Sequence, residues 1–405
     1  KWHLDGLHSV GMGGGPILAN HTHNPSAFGF SYWLSSFGVF DVDPVLSRNG
    51  ALEDFVGDSS DVIVAQALAW MRAQVASSKP ALTVIWYPSP HEPWIALPED
   101  RAVAAGFFKS RYYGEMVGLD RSIGALRKGI REMGMENNTL LWFNSDNGGY
   151  HGLPIPANGL LRGYKKDPFE GGIRVSAVVE WVNVIAPERI SWYPASIYDI
   201  FPTVVELLGL PQSSMMRPYE GTSLARLFAR DIRRRHKPIF IAYKHRWILI
   251  DNEIKYVSAG DGRSHWLYNL SRVPQPKGGS VKQRNHSLAI AAIMGNEEDM
   301  DEVYKKVHNG ILKGRKYGYP FTPLNGTNEE SVFRHVQWLF EQMAAFMASV
   351  NASKSGADYP DGMVKEGPGV HIWLYQAIDR ASVNFNRTHS RSRFEKLGGY
   401  LKISG

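Results

Sequence analysis

The chain contains no cysteine among its 405 residues. Within these residues it therefore forms no disulfide, has no zinc–thiolate site and offers no cysteine nucleophile, although the absence leaves the redox compartment open. The sequence also lacks any run of about 18 apolar residues, so it predicts no membrane-spanning helix. What remains is a globular composition with 43% hydrophobic and 21% charged residues, long enough for one large domain and a smaller one.

The net charge of +6 is not arranged in a pattern typical of nucleic-acid binding. The densest basic run, residues 233–237, has no interleaved stacking aromatics and belongs to no known module, so it predicts a solvated loop. We therefore expect no nucleic-acid partner. The mild positive balance suits an anionic substrate.

The start of the sequence and its glycosylation sequons bear on where the protein acts. The chain begins with Lys1 rather than Met and lacks a secretory-signal pattern, so we expect it to be a piece of a longer protein. Asn-x-Ser/Thr sequons occur seven times, where about two are expected by chance. They lie at Asn20, Asn137, Asn269, Asn285, Asn325, Asn351 and Asn386. The excess favours a glycoprotein of the secretory pathway, lysosomal or extracellular.

Strand and helix patterns alternate through the middle of the chain. Runs of β-branched and aromatic residues predict strands at 81–88 and 139–143, and apolar spacing predicts a helix between them from about Ser110 to Gly134. A further strand is predicted at 173–182, followed by a short helix in "DIFPTVVELLGLP". This alternation predicts an α/β fold with a central mixed, largely parallel sheet flanked by helices.

The pattern changes near residue 230. The stretches "KPIFIAY", "RWILID" and "EIKYVSA" predict successive antiparallel strands, "HWLYNL" follows them, and a late helix is predicted from about Glu329. We predict a catalytic domain at 1–235 that is incomplete at its N-terminus. An antiparallel sheet plus helix at 236–359 and an irregular tail at 360–405 complete the predicted organisation.

The stretch "FNSDNGGYHG" carries the strongest chemical signal. A buried strand delivers Asp146 and Asn147 to its carboxyl end, where open α/β sheets place ligands. Two adjacent oxygen ligands followed by two glycines suit a hard cation such as Ca²⁺. Taken alone, Asp-Asn-Gly-Gly is also ordinary turn chemistry.

Three further stretches place cations and proton carriers in loops or extended segments. Lys165 in "LRGYKKDPFEGGIRV" suits a point charge for sulfate or phosphate, although a lone loop lysine is more often only exposed. His91 in "YPSPHEPW" follows a predicted strand between prolines and suits a general acid, or else a surface histidine. Lys1 and His3 in "KWHL" project to one face of an extended segment.

The order and spacing of these stretches resemble the type I sulfatases of the alkaline phosphatase superfamily. The matching pieces, in order, are "KWHL", "PHEPW", "YYGEMVGLDRSIGAL", "SDNGG", "LRGYK" with "FEGGIRV", "DIFPTVVELLG" and "WLYNL". Asp5 departs from the family pattern, which has Gly there. The family also places two aspartates and a Cys- or Ser-x-Pro-x-Arg signature upstream of the Lys-Trp-His segment, and converts that Cys or Ser to the nucleophile formylglycine. This chain has no such signature.

The resemblance implies a role for each matched residue. Lys1 and Lys165 would neutralise sulfate oxygens, and His3 would assist turnover of the sulfated formylglycine hydrate. His91 would protonate the departing alcohol. Asp146 and Asn147 would ligate Ca²⁺, which polarises the sulfate as a Lewis acid. The nearby Tyr150, His151 and Asn158 are candidates for a substrate subsite.

The resemblance predicts a sulfuric ester hydrolase that acts on an aryl or carbohydrate sulfate, with a sulfated small molecule or glycan as partner. Two alternatives stay open. One is a phosphodiesterase or phosphonate hydrolase of the same superfamily, and the other is a sulfatase-like binding protein without catalysis. We expect the six matched residues to converge on one pocket. We also expect residues 1–405 alone to be inactive, because the nucleophile segment is absent from them.

Overall fold

The structure is a computed structural model whose described residues fall into two compact units. The described residues up to Met133 form one unit, and those from Gly134 onward form the other. The described residues are 17–36, 42–107, 109–150, 158, 161, 163–215, 217, 219–243, 246–259, 265–270, 298–299, 338–339, 341–350 and 352. The three predicted domains stay a prediction.

The first unit contains a small antiparallel sheet. Its strands, in spatial order, are β1 (Leu34–Ser35), β2 (Val45–Arg48) and β3 (Ala51–Asp54). Asn49 and Gly50 join β2 to β3, and both have positive φ, as the two central residues of the tightest hairpin turns require.

Three helices complete the described part of this unit. They are α1 (Ser59–Ala76), α2 (Pro98–Val103) and α3 (Ser110–Glu132), and both α1 and α2 pack against α3. The predicted helix from Ser110 is confirmed. It ends where predicted, with Gly134 at φ +67° just beyond it.

The buried face of α3 differs in part from the predicted one. Leu126 and Ile130 are buried as expected, but Met116 is 39% exposed. Glycines form much of the contact between α3 and the residues packed against it instead. A Cβ added at Gly129 would lie 2.5 Å from Leu68 Cδ2 of α1, and one at Gly114 would lie 2.7 Å from Ala96 Cβ. Apolar spacing alone could not show this, because glycine permits close helix approach without contributing an apolar side chain.

The strand predicted at 81–88 is wrong for the described structure. These residues form no strand, and within the described ranges no strand pairs with them. Every second side chain is exposed, with Leu82 at 65%, Val84 at 45% and Trp86 at 49%. The β-branched and aromatic composition favours extended backbone, but it cannot specify a hydrogen-bonding partner.

The second unit begins with a two-stranded antiparallel sheet. β4 (Leu141–Asn144) pairs with β5 (Ala177–Glu180), and the short helix α4 (Glu170–Ile173) lies between them in sequence. Both strands were predicted. The helices α5 (Ile200–Leu207) and α6 (Ala225–Ala229) follow, and α5 confirms the helix predicted from "DIFPTVVELLGLP".

A five-stranded antiparallel sheet forms the larger part of this unit. Its strands in chain order are β6 (Ile239–Tyr243), β7 (Arg246–Asp251), β8 (Ile254–Ala259), β9 (His265–Asn269) and β10 (Glu298–Asp299). Each inner strand pairs with the strand that precedes it and the strand that follows it in the chain, so β6 and β10 are the edges. A helix, α7, covers it with residues 338–339 and 341–350. Phe240, Trp247 and Leu249 of the sheet share one core with Leu339 and Met343 of α7. The predicted antiparallel sheet is thus confirmed, and so is the late helix over residues 338–339 and 341–350. Its predicted start at Glu329 lies outside the described residues.

The described residues mix helices with sheets, and the chain is of the α/β class. Short 3₁₀ helices also lie in this part of the chain, at Pro25–Phe28, Glu136–Asn138, Ile197–Asp199 and Gln212–Ser214. Every strand pair within the described ranges is antiparallel, so the largely parallel central sheet stays a prediction. No helix in this part of the chain has the length and apolar character needed to span a membrane.

The basic run at 233–237 is only partly the predicted solvated loop. Arg235 is 2% exposed, and its Nη1 and Nη2 donate to the two carboxylate oxygens of Asp199 at 2.6 and 2.8 Å. Burial lowers the pKa of Arg235, but the hydrogen bonds and charge of Asp199 outweigh this and raise it. The prediction is wrong for Arg235 because a charged residue within a basic run can be buried when a carboxylate from another element pairs with it.

Candidate active site

In the first unit, His91 lies on a tightly bonded loop between residues 88 and 95. The His91 N–H donates to Pro88 O at 2.9 Å, and the indole Nε1 of Trp94 donates to Pro90 O at 3.0 Å. His91 itself is half-buried. The loop therefore holds the histidine backbone through bonds on both sides of it.

The His91 ring is oriented by its own loop. Its Nδ1 lies 2.7 Å from the carbonyl oxygen of Glu92, and because a carbonyl can only accept, Nδ1 is the donor. In the neutral ring Nε2 is then the unprotonated nitrogen, so Nε2 is the atom that gains and loses the exchangeable proton. A general acid needs a fixed ring orientation, and the Nδ1 bond to Glu92 O provides it.

In the second unit, Asp146 and Asn147 lie just beyond the end of β4. The following turn is closed by the Ser145 hydroxyl, which donates to Asn147 O at 2.9 Å, and by Gly148 N–H, which donates to Gly172 O at 2.9 Å. A Cβ added at Gly148 would overlap the carbonyl oxygen of Gly171. The two glycine-containing motifs "SDNGG" and "FEGGIRV" therefore interlock through backbone contacts that only glycine allows.

Asn158 and Lys165 join the same turn. The Asn158 side chain accepts from Gly149 N–H at 2.7 Å and donates to Gly163 O at 3.1 Å. It therefore bridges the turn and the loop that contains Lys165. The Lys165 N–H donates to Gly149 O at 2.8 Å. The structure thus brings Asp146, Asn147 and Lys165 into one hydrogen-bonded segment, with Asn158 in a structural position.

Sequence reasoning missed Lys255, which supports this segment from β8. Lys255 is fully buried, and its Nζ lies 2.7 Å from Glu170 Oε1 at the start of α4. The signal in the sequence was a lysine in the middle of the apolar strand "EIKYVSA". A buried lysine needs a partner of opposite charge, but the strand pattern does not say which residue supplies it.

Asp146 and Asn147 have the chemistry of calcium ligands. Asp146 is exposed and Asn147 half-buried, and neither side chain has a hydrogen-bond or ion-pair partner among the described residues. Ca²⁺ prefers roughly six to eight oxygen ligands, and these two residues would supply part of that number. In the described ranges no group of three or more His, Cys, Asp or Glu residues is arranged to hold a metal. The two side chains therefore fit as part of a calcium site.

The predicted site residues thus lie in different parts of the chain. Asp146, Asn147 and Lys165 are adjacent within the second unit, and His91 lies in the first unit. Lys1 and His3 lie outside the described residues, as does His151. Convergence of the six on one pocket stays a prediction.

Comparisons with known proteins identify the family of this chain. A family model described as "Sulfatase" matches residues 5–210, about half of the chain. The chain belongs to the sulfatase family. The prediction made from the resemblance to type I sulfatases is therefore confirmed.

Three curated relatives are similar over part of the chain. The steryl-sulfatase of Mus musculus is 33% identical over 141 residues, 32% of this chain and 22% of the relative. Human arylsulfatase D is 30% identical over 214 residues, 49% of this chain and 34% of the relative. The N-acetylgalactosamine-6-sulfatase of Rattus norvegicus is 29% identical over 153 residues, 37% of this chain and 28% of the relative. The matches span about a fifth to a third of these relatives.

Two solved structures share the fold. The crystal structure of Ps i-CgsB in complex with k-i-k-neocarrahexaose superposes with a TM-score of 0.57 at 19% identity, covering 74% of this chain and 69% of that one. A sulfatase from Bacteroides thetaiotaomicron, described in the context of glycosaminoglycan metabolism, gives a TM-score of 0.51 at 17% identity, covering 69% and 63%. At these identities the likeness concerns the fold alone.

Proposed function

We propose that this protein hydrolyses sulfate esters, with an aryl or carbohydrate sulfate as substrate. The observation that carries the proposal is the hydrogen-bonded segment that joins Lys165 to the turn bearing Asp146 and Asn147. A cation and two hard oxygen ligands on one rigid segment suit a sulfate group and the metal that polarises it. The names of the relatives, which cover steryl, aryl and N-acetylgalactosamine sulfates, support the same class of ester.

Each residue has a proposed part in the reaction. Lys165 neutralises charge on the sulfate oxygens, and Lys1 does the same, while His3 would assist turnover of the sulfated formylglycine hydrate. His91 delivers the proton on Nε2 to the departing alcohol oxygen, while its Nδ1 stays bonded to Glu92 O. Asp146 and Asn147 would hold Ca²⁺, which supplies Lewis-acid polarisation of the sulfate when bound.

The nucleophile is a separate part of the proposal. Residues 1–405 contain no Cys and no Ser-x-Pro-x-Arg, the sequences that sulfatases convert to formylglycine. We therefore propose that residues 1–405 bind the sulfate ester but do not supply the attacking group.

We also propose that the protein is a secretory-pathway glycoprotein, lysosomal or extracellular. Two of its sequons lie in the described residues with their asparagines exposed, at Asn20 and Asn137. Exposure is required for a glycan, so these two positions support the proposal.

The function is tested by binding, since binding does not need the nucleophile. Saturation-transfer NMR with 4-nitrophenyl sulfate and Ca²⁺ would measure affinity for the 405-residue chain and for Lys165→Gln. Lys166→Gln is the matched control, because it removes an exposed charge from the next position. We expect K165Q to weaken binding about tenfold or more, roughly 1.4 kcal/mol, and K166Q to change it less than about twofold.

Two results would contradict the proposal. Equal losses in K165Q and K166Q would show that only overall charge attracts the ester. Tighter binding of phenyl phosphonate or a phosphodiester than of the sulfate would favour the alternative, a phosphodiesterase or phosphonate hydrolase of the same superfamily.

A further inference from the structure

We propose that Glu115 of α3 is a positioning residue that holds the His91 loop in the geometry needed for proton transfer. The inference rests on the proposed role of His91 as general acid. It adds a residue of a different helix, 24 positions away in the chain, that acts on His91 only through the loop backbone.

The Glu115 carboxylate bonds both ends of the loop. Its Oε2 accepts from the Ser89 hydroxyl, and its Oε1 accepts from the Ile95 N–H at 3.0 Å. Ser89 precedes His91 by two residues and Ile95 follows it by four. Because one rigid carboxylate binds both positions, it fixes the distance between the ends of the loop.

The bond from Ser89 is buried and the bond from Ile95 is partly buried. Glu115 is 1% exposed and Ser89 is 6% exposed. A buried carboxylate is costly unless its oxygens are hydrogen-bonded, and hydrogen bonds to a charged group are the stronger kind. The loop is therefore held at its two ends by one carboxylate that is itself shielded from water.

The held loop in turn fixes the His91 ring. The acceptor for Nδ1 is the Glu92 carbonyl, which lies inside the span from Ser89 to Ile95. If the ends of that span move apart, the carbonyl moves relative to the imidazole and Nδ1 loses its acceptor. The neutral ring would then populate both tautomers, and Nδ1 would no longer carry the proton in every molecule.

A purely structural role for Glu115 predicts something different. In that case its loss would lower stability, as any buried substitution in α3 would, and would leave the His91 ring unchanged. Leu126 provides the matched control, since it is buried on the same helix and touches none of the loop bonds described above.

The test measures the His91 tautomer directly and needs no turnover. Two-bond ¹H–¹⁵N spectra of the ¹⁵N-histidine-labelled 405-residue chain distinguish protonated from unprotonated ring nitrogens, and His91→Asn identifies the His91 signal among the 14 histidines. We expect the Nδ1–H tautomer to dominate in the unmodified chain and in Leu126→Ala. We expect a mixture of tautomers in Glu115→Ala, and a smaller shift in Ser89→Ala, which removes one of the two bonds.

The outcomes separate this inference from the proposed function. A Glu115→Ala chain that is less stable but keeps the native His91 tautomer would overturn the inference, whatever the sulfate-binding experiment shows. If Glu115→Ala does not fold, an unchanged tautomer in Ser89→Ala overturns it instead. Failure of K165Q to weaken sulfate binding would overturn the proposed function and leave the tautomer result intact.

Discussion

Lys255 Nζ lies 2.7 Å from Glu170 Oε1 and joins the central strand of the antiparallel sheet to the "EGG" motif beside the Asp146–Asn147 turn. The Lys255 side chain is 0% exposed and the Glu170 side chain 16%. The pair is thus asymmetric, because only the lysine is fully removed from water. The carbonyl oxygen of Gly172 accepts from Gly148 N–H. An ion pair that stabilises Glu170 therefore also stabilises the Asp146–Asn147 turn.

The first prediction is that replacing Glu170 lowers the free energy of unfolding more than replacing Lys255 does. Glu170→Gln leaves a fully buried ammonium without its carboxylate and is expected to cost about 3 kcal/mol or more in the free energy of unfolding. Lys255→Met leaves a carboxylate that water can still reach, and is expected to cost about 1–2 kcal/mol. Urea unfolding of both variants and of the double variant measures the coupling.

A double variant whose loss equals the sum of the two single losses would contradict this prediction. So would a larger loss in Lys255→Met than in Glu170→Gln. Either result would show that the 2.7 Å contact does not carry the stability of the segment.

The second prediction concerns Gly148, where a side chain cannot be accommodated. An added Cβ would overlap Gly171 O, which is backbone and cannot rotate away. We expect Gly148→Ala to lower the free energy of unfolding by more than about 2 kcal/mol and to weaken binding of 4-nitrophenyl sulfate. Gly124→Ala on α3 is the control, since a Cβ there meets open space and alanine favours the helix by about 0.5–1 kcal/mol. Similar effects of the two substitutions would contradict the interlocked geometry.

The fold could be predicted from the sequence where strands that follow one another in the chain also pair with one another in the sheet. β6, β7 and β8 follow one another with short connections, so each strand's neighbour in sequence is its neighbour in the sheet. The segment 81–88 has strand-like composition but no neighbouring hairpin, and its pairing could not be read from the sequence. The sequence predicted the α3 helix from its period, but it missed the buried glycines because they do not add to an apolar stripe.

The motifs of the candidate site could be predicted from the sequence, but the buried residues that hold these motifs in place could not. Asp146, Asn147 and Lys165 were found from short stretches that match a family pattern. Glu115 and Lys255 were missed, because their partners lie 20 to 85 positions away and their bonds exist only once the tertiary structure has formed. A buried charge in an apolar element is the one local signal that could have found them.

The third prediction is a pH dependence of stability that arises from Glu115. Burial raises the pKa of Glu115, with smaller contributions in the same direction from the charges of Asp58 and Asp100, and the bonds from Ser89 and Ile95 oppose it. Because the folded-state pKa lies above the unfolded value, about 4.3, the stabilisation is complete below pH 4 and is lost as pH rises through the folded pKa.

Glu115→Gln removes this titration. We therefore expect the stability of E115Q relative to the unmodified chain to be greater at pH 7 than at about pH 4, as measured by urea unfolding. Leu126→Ala is the control, since it lowers stability by removing apolar contacts and has no titrating group, so its difference should be the same at both pH values. A difference for E115Q that is constant, or that falls with rising pH, would contradict the prediction.

The last prediction is that residues 1–405 alone do not turn over 4-nitrophenyl sulfate, even with Ca²⁺ present. Covalent hydrolysis needs a nucleophile, and these residues have no Cys and no Ser-x-Pro-x-Arg. Asp146 and Asn147 also supply only part of the oxygens that Ca²⁺ prefers, so metal affinity should be weak. The assay is informative when the same preparation binds the ester in the NMR experiment, because binding shows that the segment containing Lys165 is folded. Turnover above background that His91→Asn abolishes would show that a nucleophile exists within these residues, and the proposed division between binding and attack would be wrong.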